Sequence, residues 1–265
     1  MQVITSKDNS TIKLFRKLSS NKKYRSEFDM FTLEGVRLIR DAVQENAELH
    51  YVLITESCYK KLSEHGEALD FLNEENIMKK TALISDELGS SLASTDGTQG
   101  IFAICAALDN PPISDTINSS GRYILLHNIQ DPGNMGTVIR TADAMGISAV
   151  ISVNSCDIYS PKVVRSTMGS LFRMKVCIAS EDEAFQTFRD KKITAYAAVI
   201  DSDALSLTDC KFSNGSAVLI GNEGNGLPSD VVAKCDHKLT IHMNGNVNSL
   251  NAATAASIIM WELTK

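Results

Sequence analysis

The sequence predicts an α/β protein whose second half forms a parallel β-sheet with helices on both faces. Strand-like and helix-like runs alternate from residue 122 onward, as they do in α/β folds. The strand runs are continuously apolar, which is typical of strands buried on both faces. The composition of 265 residues, 43% hydrophobic and 22% charged, is that of a soluble globular protein with one large or two modest domains.

A cluster of Pro, Ser, Asn and Asp at residues 107–121 is predicted to be a linker. It separates an N-terminal domain over residues 1–106 from a second domain over residues 122–265. Apolar spacing in the N-terminal domain predicts a small α/β module. Its expected elements are helices at 10–24 and 34–45 and strands at 51–55 and 100–108.

The second domain is predicted to hold six strands and four helices. The strands are expected at 123–129, 148–153, 172–178, 193–200, 216–221 and 237–243. The helices are expected at 136–146, 161–170, 181–191 and 251–263. Because ligands of such sheets bind at the carboxyl ends of the strands, the loops that follow strands are the candidate sites.

Charge is unevenly distributed along the chain. Residues 1–25 carry seven basic side chains and one acidic one, a net charge of +6, whereas the remaining 240 residues carry 19 basic and 31 acidic ones, a net of −12. Such an arm can steer a polyanion to one region, although a solvated helix face is an equal alternative. The candidate contacts of the arm with such a polyanion are Lys13, Arg16 and Lys17.

The chain has the features of a soluble cytoplasmic protein. No apolar run approaches the roughly 18 residues of a membrane span, and the first dozen residues lack a signal-peptide core. The six cysteines are widely spaced and are expected to be free thiols that behave as small hydrophobic side chains. The five histidines show no metal-ligand spacing, so no metal requirement is expected.

Three loops carry unusual chemistry. In the first, Asp131-Pro132-Gly133-Asn134 forms a turn, and Thr137 is expected to start a helix with Arg140 one turn inside, near enough to meet a phosphate. A plain surface arginine is the alternative. His127, at the end of the preceding strand, is a weaker candidate for a substrate contact.

The second loop, GNEGNGLP at 221–228, contains three glycines and one ionisable side chain, Glu223, which could orient the loop or accept a proton. The third, at 241–263, is rich in asparagine and leads into an alanine-rich helix that Ser249 or Asn251 can cap. An ordinary tight turn and a buried C-terminal helix are the alternatives.

Together and in this order, the stretches DPGNMGTVIRTADAMG, LIGNEGNGLP and IHMNGNVNSLNAATAAS resemble the SpoU (TrmH-type) family of SPOUT RNA methyltransferases. The N-terminal stretches FTLEGVRLIRDAV (31–43) and STDGTQGIFAI (94–104) are similar to the small L30e-like RNA-binding domain attached to many members. The resemblance implies a trefoil-knotted sheet and a homodimeric 2′-O-ribose methyltransferase that uses S-adenosylmethionine. Pattern reasoning alone does not predict the knot.

The resemblance also implies roles for individual residues. The cofactor-binding set is Gly221, Ile241, Met243 and Leu250, and the catalytic set is Arg140, Asn134, Glu223, Ser249 and Asn251. Two positions depart from the family pattern: His242 stands where proline is usual, and Asn248 where glutamate is frequent. These departures put substrate choice in doubt more than activity.

These residues suit the transfer of a methyl group to a ribose 2′-hydroxyl. Arg140 is a poor base because a guanidinium stays protonated, so we expect it to clamp the neighbouring phosphate and stabilise the developing alkoxide. The proton acceptor is left open among the phosphate, Glu223 and a perturbed arginine. Arg165 is a second candidate RNA contact, with a plain surface charge as the alternative.

The expected partner is RNA, with ribosomal RNA favoured over transfer RNA, because the L30e-like domain accompanies rRNA-directed members more often. Two other classes stay open: a nucleotide-cofactor enzyme such as a dehydrogenase, and a non-catalytic RNA-binding protein of the same fold. The first loop lacks the glycine fingerprint of the dehydrogenases. Binding of S-adenosylmethionine would distinguish the methyltransferase from both.

Overall fold

The computed structural model describes residues 3–64, 75–94, 97–243, 245 and 249–265. The helices are α1 (Ser10–Ser20), α2 (Lys22–Phe28), α3 (Val36–Gln44), α4 (Glu56–Glu64), α5 (Glu75–Met78), α6 (Asp86–Leu92), α7 (Ile113–Thr116), α8 (Pro132–Met145), α9 (Pro161–Ser166), α10 (Glu181–Lys191), α11 (Ser229–Ala233) and α12 (Ala252–Leu263). The strands are β1 (Val3–Ile4), β2 (Met30–Glu34), β3 (Leu49–Thr55), β4 (Thr81–Ile84), β5 (Ile101–Ala106), β6 (Arg122–His127), β7 (Ala149–Val153), β8 (Val176–Ile178), β9 (Thr194–Ala198), β10 (Leu205–Ser206), β11 (Ser216–Ile220) and β12 (His237–Thr240).

The chain divides into two compact units. The first unit comprises Met1–Leu108 with Tyr159–Phe172, and the second comprises Asp109–Ile158 with Arg173–Lys265. The grouping therefore differs from the predicted limits at residues 159–172, which the sequence assigns to the second domain. In the first unit the ring of Tyr159 stacks on Phe31, with 4.7 Å between centroids.

The first unit contains a five-stranded mixed sheet in the order β1-β4-β3-β5-β2. Helix α1 buries Ile12, Phe15 and Leu18 in the same hydrophobic cluster as Leu53 and Phe102 of the sheet. The predicted helix at 10–24 is in fact two helices. They are separate because the side chain of Asn21 accepts a hydrogen bond from the backbone of Tyr24 and caps α2.

The second unit contains a seven-stranded sheet in the order β10-β12-β9-β11-β6-β7-β8, and neighbouring strands of this sheet pair in parallel. This confirms the predicted parallel sheet. Strand β11 lies between β6 and β9, with Ile220 opposite Leu126. Its residues are buried throughout, as the continuous apolar pattern predicts.

Helix α8 starts earlier than the sequence predicts. The side chain of Asp131 caps it by accepting from the backbone of Asn134 at 2.9 Å, and Pro132 occupies the first turn. Arg140 therefore lies more than two turns inside the helix, so the expected position one turn inside was wrong. At the other end Gly146 adopts φ 68°, a left-handed conformation suited to glycine.

Several other boundaries also differ from the prediction. Helix α9 ends at Ser166 because Met168 and Gly169 have φ of 51° and 90°, and a turn at 167–169 and a short 3₁₀ helix at Ser170–Phe172 follow it. Strand β8 starts at Val176 rather than 172. The sequence does not predict β1, β2, β4, β10 and α11, which are short or interrupted by polar residues.

Within the described ranges, no helix is both long and apolar enough to cross a membrane.

Candidate active site

The three unusual loops all follow strands at the carboxyl edge of the seven-stranded sheet. They leave β6, β11 and β12, and β6 and β11 are direct neighbours. Loops that are about 90 residues apart in sequence are therefore brought together by strand order. This edge is where open parallel sheets bind ligands.

Glu223 of the second loop holds the first loop in place. Its carboxylate accepts hydrogen bonds from the backbone of Gln130 at 3.2 Å and Asp131 at 3.0 Å, and from the side chain of Asn134 at 2.9 Å. The side chain of Asn222 donates a longer bond of 3.4 Å. The acid therefore uses its acceptor capacity within the protein.

Asn134 connects the second loop to the third. Its side-chain nitrogen donates to Glu223 Oε1, and its Oδ1 accepts from Asn251 Nδ2 at 2.9 Å. The Oδ1 of Asn251 in turn accepts from the backbone of Ala253 and Thr254, so Asn251 rather than Ser249 caps α12. Three of the five predicted catalytic residues thus form one hydrogen-bonded chain.

The electrostatics of Glu223 favour a positioning role. Burial raises the pKa of its carboxyl, but the hydrogen bonds from Asn134 and the backbone of Asp131 and Gln130 outweigh burial, and the net pKa is lowered. A carboxylate with a lowered pKa and occupied lone pairs is a weak proton acceptor. Of the three proton acceptors considered, Glu223 loses support.

Gly221 has no side chain, and this lets the backbone of Gly226 and Leu227 pack directly against it. A Cβ at this position would collide with the backbone of Gly226 and Leu227, where the loop folds back on itself. The fold-back is fixed by two hydrogen bonds between Asn222 and Gly226, and Asn222 also donates to the carbonyl of Asn128 at 2.9 Å. Asn128, at φ 57°, is a further residue of this edge that sequence reasoning missed; asparagine after a strand is its only signal.

Two of the four predicted cofactor positions, Gly221 and Ile241, flank the end of β9. Continuing the register two residues past the last paired positions sets Gly221 beside Val199 and Ile241 beside Ile200. Ile200 is 69% exposed, which is unusual for a large apolar side chain beside a sheet. Sequence reasoning missed Val199 and Ile200 because nothing local shows that β9 lies between β11 and β12.

The other residues of the third loop are less tightly placed. Met243 and Leu250 are half-buried, whereas His242 and Ser249 are exposed. Ser249 makes no hydrogen bond with any residue that the structure describes. Asn248 lies outside the described residues.

Arg140 does not join the hydrogen-bonded chain. It is exposed and has no hydrogen bond or ion pair within the described parts of the chain. It is six residues beyond Asn134 on α8, which places it about 9 Å further along the axis and on another face. Its guanidinium is thus free to meet an anion.

The predicted RNA contacts, all in the first unit, have internal partners. Lys13 pairs with Asp8 at 2.8 Å, Arg16 donates to Ser91 at 2.9 Å, and the ammonium of Lys17 lies 4.9 Å from the centre of the Tyr24 ring. Arg165 donates to Ser94 and lies 3.8 Å from Glu34. Arg25, counted in the basic arm, is buried and donates to the carbonyl of Leu18 at 2.5 Å.

His127 is buried rather than exposed to a substrate. Its Nε2 lies 3.2 Å from Glu181, whose other oxygen accepts from Lys234 at 2.5 Å. The hydrogen bond from Lys234 is the main reason why the pKa of Glu181 is lowered.

All six cysteines are free, and burial raises the pKa of the Cys105 thiol to about 12. Among the described residues no group of three His, Cys, Asp or Glu could hold a metal ion.

A parallel seven-stranded sheet with these three loops at one edge, preceded by a smaller α/β unit, is the fold of the SPOUT methyltransferases. The S-adenosylmethionine-bound rRNA methyltransferase of Sinorhizobium meliloti superposes with a TM-score of 0.85, at 26% identity over 99% of this chain and 97% of that one. Residues 121–261 match the SpoU rRNA Methylase family, and residues 9–103 match an MRM3-like substrate binding domain. The chain belongs to the SpoU rRNA methylase family.

Two curated relatives match along nearly the whole chain. A 23S rRNA (guanosine(2553)-2′-O)-methyltransferase of Bacillus subtilis is 28% identical over 264 residues, covering 99% of both proteins. A 23S rRNA (uridine(2479)-2′-O)-methyltransferase of Streptomyces viridochromogenes is 29% identical over 270 residues, covering 99% of this chain and 91% of the relative. The family resemblance drawn from the three motifs is confirmed.

Proposed function

We propose that the protein transfers a methyl group from S-adenosylmethionine to a ribose 2′-hydroxyl of ribosomal RNA. The observation that carries this proposal is the Glu223–Asn134–Asn251 chain, which joins all three family motifs at the ligand-binding edge of the sheet. The two curated relatives, both named as 23S rRNA 2′-O-methyltransferases, support ribosomal RNA over transfer RNA. With such a substrate, the proposed location of the enzyme is the cytoplasm.

The residues at the sheet edge fit the cofactor. The side chains of Ile200, Ile241, Met243 and Leu250 are apolar and at least partly accessible, as an adenosyl group requires. Gly221 keeps the neighbouring loop close to the sheet without a side chain in between. When bound, S-adenosylmethionine supplies an electrophilic methyl group on a sulfonium.

The chain's own residues then act by positioning and by charge. Glu223 and Asn251 orient Asn134 and the loop that carries it, and this kind of orientation is worth several kcal/mol when reacting atoms must align in line. Arg140 contacts the phosphate next to the target ribose and stabilises negative charge that develops on the 2′-oxygen. Glu223 is already saturated with donors, which leaves the phosphate and a perturbed arginine as the candidate acceptors of the 2′-hydroxyl proton.

A homodimer is proposed as the active form. Thr254, Ile258 and Trp261 form a stripe along the outer face of α12, and Ile258 and Trp261 are 38% and 55% exposed. Large apolar side chains at this spacing on one helix face are typical of an interface. We assign a second copy of this chain to that face.

The test is transfer of labelled methyl from S-adenosylmethionine to unmodified bacterial rRNA and, separately, to tRNA. Alkali does not cleave beside a 2′-O-methyl ribose, so label is expected in an alkali-resistant dinucleotide from rRNA and to be absent with Arg140→Ala. Label only in tRNA would overturn the substrate class. Cofactor binding with no transfer to either RNA would indicate a non-catalytic RNA-binding protein.

A further inference from the structure

We propose that a polar cleft in the first unit, lined by Arg37, Arg40 and Lys61, binds the sugar-phosphate backbone of the substrate RNA. The cleft has a volume of about 820 Å³ and lies where β2, β3 and β4 end and β5 begins. Clefts of roughly 300–1,000 Å³ are of ligand size. The inference rests on the proposed function and adds where the RNA is held.

The cleft is built by residues with clear structural reasons. Gly100 has φ 75°, and a Cβ there would collide with Thr55 and approach Cys58, two residues of the lining. Gly35 has φ 104°, and the following backbone N–H, of Val36, donates to Gln99 Oε1 at 2.8 Å. The two stretches that resemble an L30e-like domain, 31–43 and 94–104, thus meet in one cleft.

Two cations of the cleft, Arg37 and Lys61, are available to a ligand. Arg37 and Lys61 are exposed, and neither has a hydrogen bond or ion pair with a residue that the structure describes. Of the two acids of the lining, Asp86 accepts from Ser57 Oγ at 2.5 Å, and Asp41 makes no side-chain hydrogen bond with a residue that the structure describes. With Arg37, Arg40 and Lys61 against Asp41 and Asp86, the lining carries a net positive charge.

The cleft fits RNA better than the basic helix does. The cations of α1 that the sequence predicts as RNA contacts already pair with Asp8, Ser91 and Tyr24. By contrast, the cleft combines Arg37 and Lys61, which have no such partner, with hydroxyl and amide groups from Ser57, Ser90 and Gln99. A site that binds an RNA backbone typically contains cations that neutralise phosphates and groups that hydrogen-bond to ribose hydroxyls.

The experiment compares three variants of the full-length protein: Arg37→Ala/Lys61→Ala in the cleft, Lys13→Ala/Lys17→Ala on α1, and Lys60→Ala. Lys60 is a matched control because it neighbours Lys61 on α4, is exposed and does not line the cleft. Binding of an unmodified rRNA transcript is measured between 50 and 200 mM salt, together with binding of S-adenosylmethionine.

The cleft variant is expected to bind the transcript about tenfold more weakly at the lower salt, with a slope of log K against log salt reduced by about one to two. Cofactor affinity should be unchanged, and Lys60→Ala should behave like the parent. Equal RNA affinity of the cleft variant and the parent would overturn the inference, and a larger loss in the α1 variant would move the site to that helix. An inactive parent that binds RNA would instead refute the proposed function.

Discussion

The side-chain nitrogen of Asn134 donates to Glu223 Oε1 at 2.9 Å, although the two residues are 89 positions apart. This bond connects the loop after β6 to the loop after β11. Because Asn134 also accepts from Asn251, the loss of the Glu223 carboxylate would separate the second loop from both the first and the third.

Glu223→Gln is expected to lower methyl transfer at least tenfold, because small displacements of reacting groups are costly. It should also lower the melting temperature at pH 7 by about 2–4 °C, corresponding to about 1 kcal/mol for lost charge-assisted hydrogen bonds. Since the pKa of Glu223 is lowered, its contribution to stability is complete above the ordinary value of 4.5 and is lost as the pH falls through the lower folded value.

Thermal melts of the Glu223→Gln variant and parent from pH 7 to pH 3 check this, and the two curves should converge at the acidic end. Glu27→Gln is the control, since Glu27 is exposed and makes no hydrogen bond within the described residues. An undiminished difference at pH 3 would show that Glu223 acts through shape rather than charge.

Gly221→Ala is expected to destabilise the protein by about 2–3 kcal/mol, because the new Cβ meets backbone that cannot rotate away. Cofactor affinity should fall at least tenfold, since the loop is pushed off the sheet. Gly224→Ala is the matched control: its Cβ would have only the side chain of Asn222 near it, at 3.6 Å. Melting temperature and isothermal titration with S-adenosylmethionine measure both effects, and equal behaviour of the two variants would refute the steric argument.

Arg140→Lys is expected to lower the single-turnover rate about 10- to 100-fold while leaving cofactor affinity unchanged. A lysine keeps the charge but loses the planar fork that holds a phosphate by two bonds. Arg189→Lys on α10 is the control for a surface arginine outside the site. A rate within twofold of the parent would exclude a role based on guanidinium geometry.

Trp261→Ser is expected to shift the protein toward a monomer, because it removes the largest exposed apolar side chain of the α12 stripe. Sedimentation at micromolar concentration measures the shift. Tyr59→Ser, which changes an aromatic that is 40% exposed in the first unit, should leave the oligomeric state unchanged. A parent that sediments as a monomer would remove the proposed homodimer.

The local parts of the site could be predicted from the sequence, and the non-local parts could not. Turn residues, glycine density and a capping asparagine are visible at Asp131, Gly221 and Asn251, since each acts on its own few neighbours. The bond from Asn134 to Glu223 and the position of Ile200 depend on which strands are neighbours, and strand order is decided by the packing of the whole sheet.

Competition between local signals explains the error at α8. Thr137 is an acceptable cap, but Asp131 followed by Pro132 is a stronger start, and the helix takes the earlier one. Residues 244 and 246–248 of the third loop lie outside the described ranges, and the implied knot stays a prediction.

The contact of Phe31 with Tyr159 has a consequence for the modularity of the chain. A fragment cut after residue 108 would lack both Tyr159 and Phe172, whose rings stack on the fully buried Phe31. The first unit therefore cannot be separated intact by cutting the chain at one position. A transplant that gave this enzyme the substrate-recognition unit of a relative would have to exchange residues 159–172 in the same step.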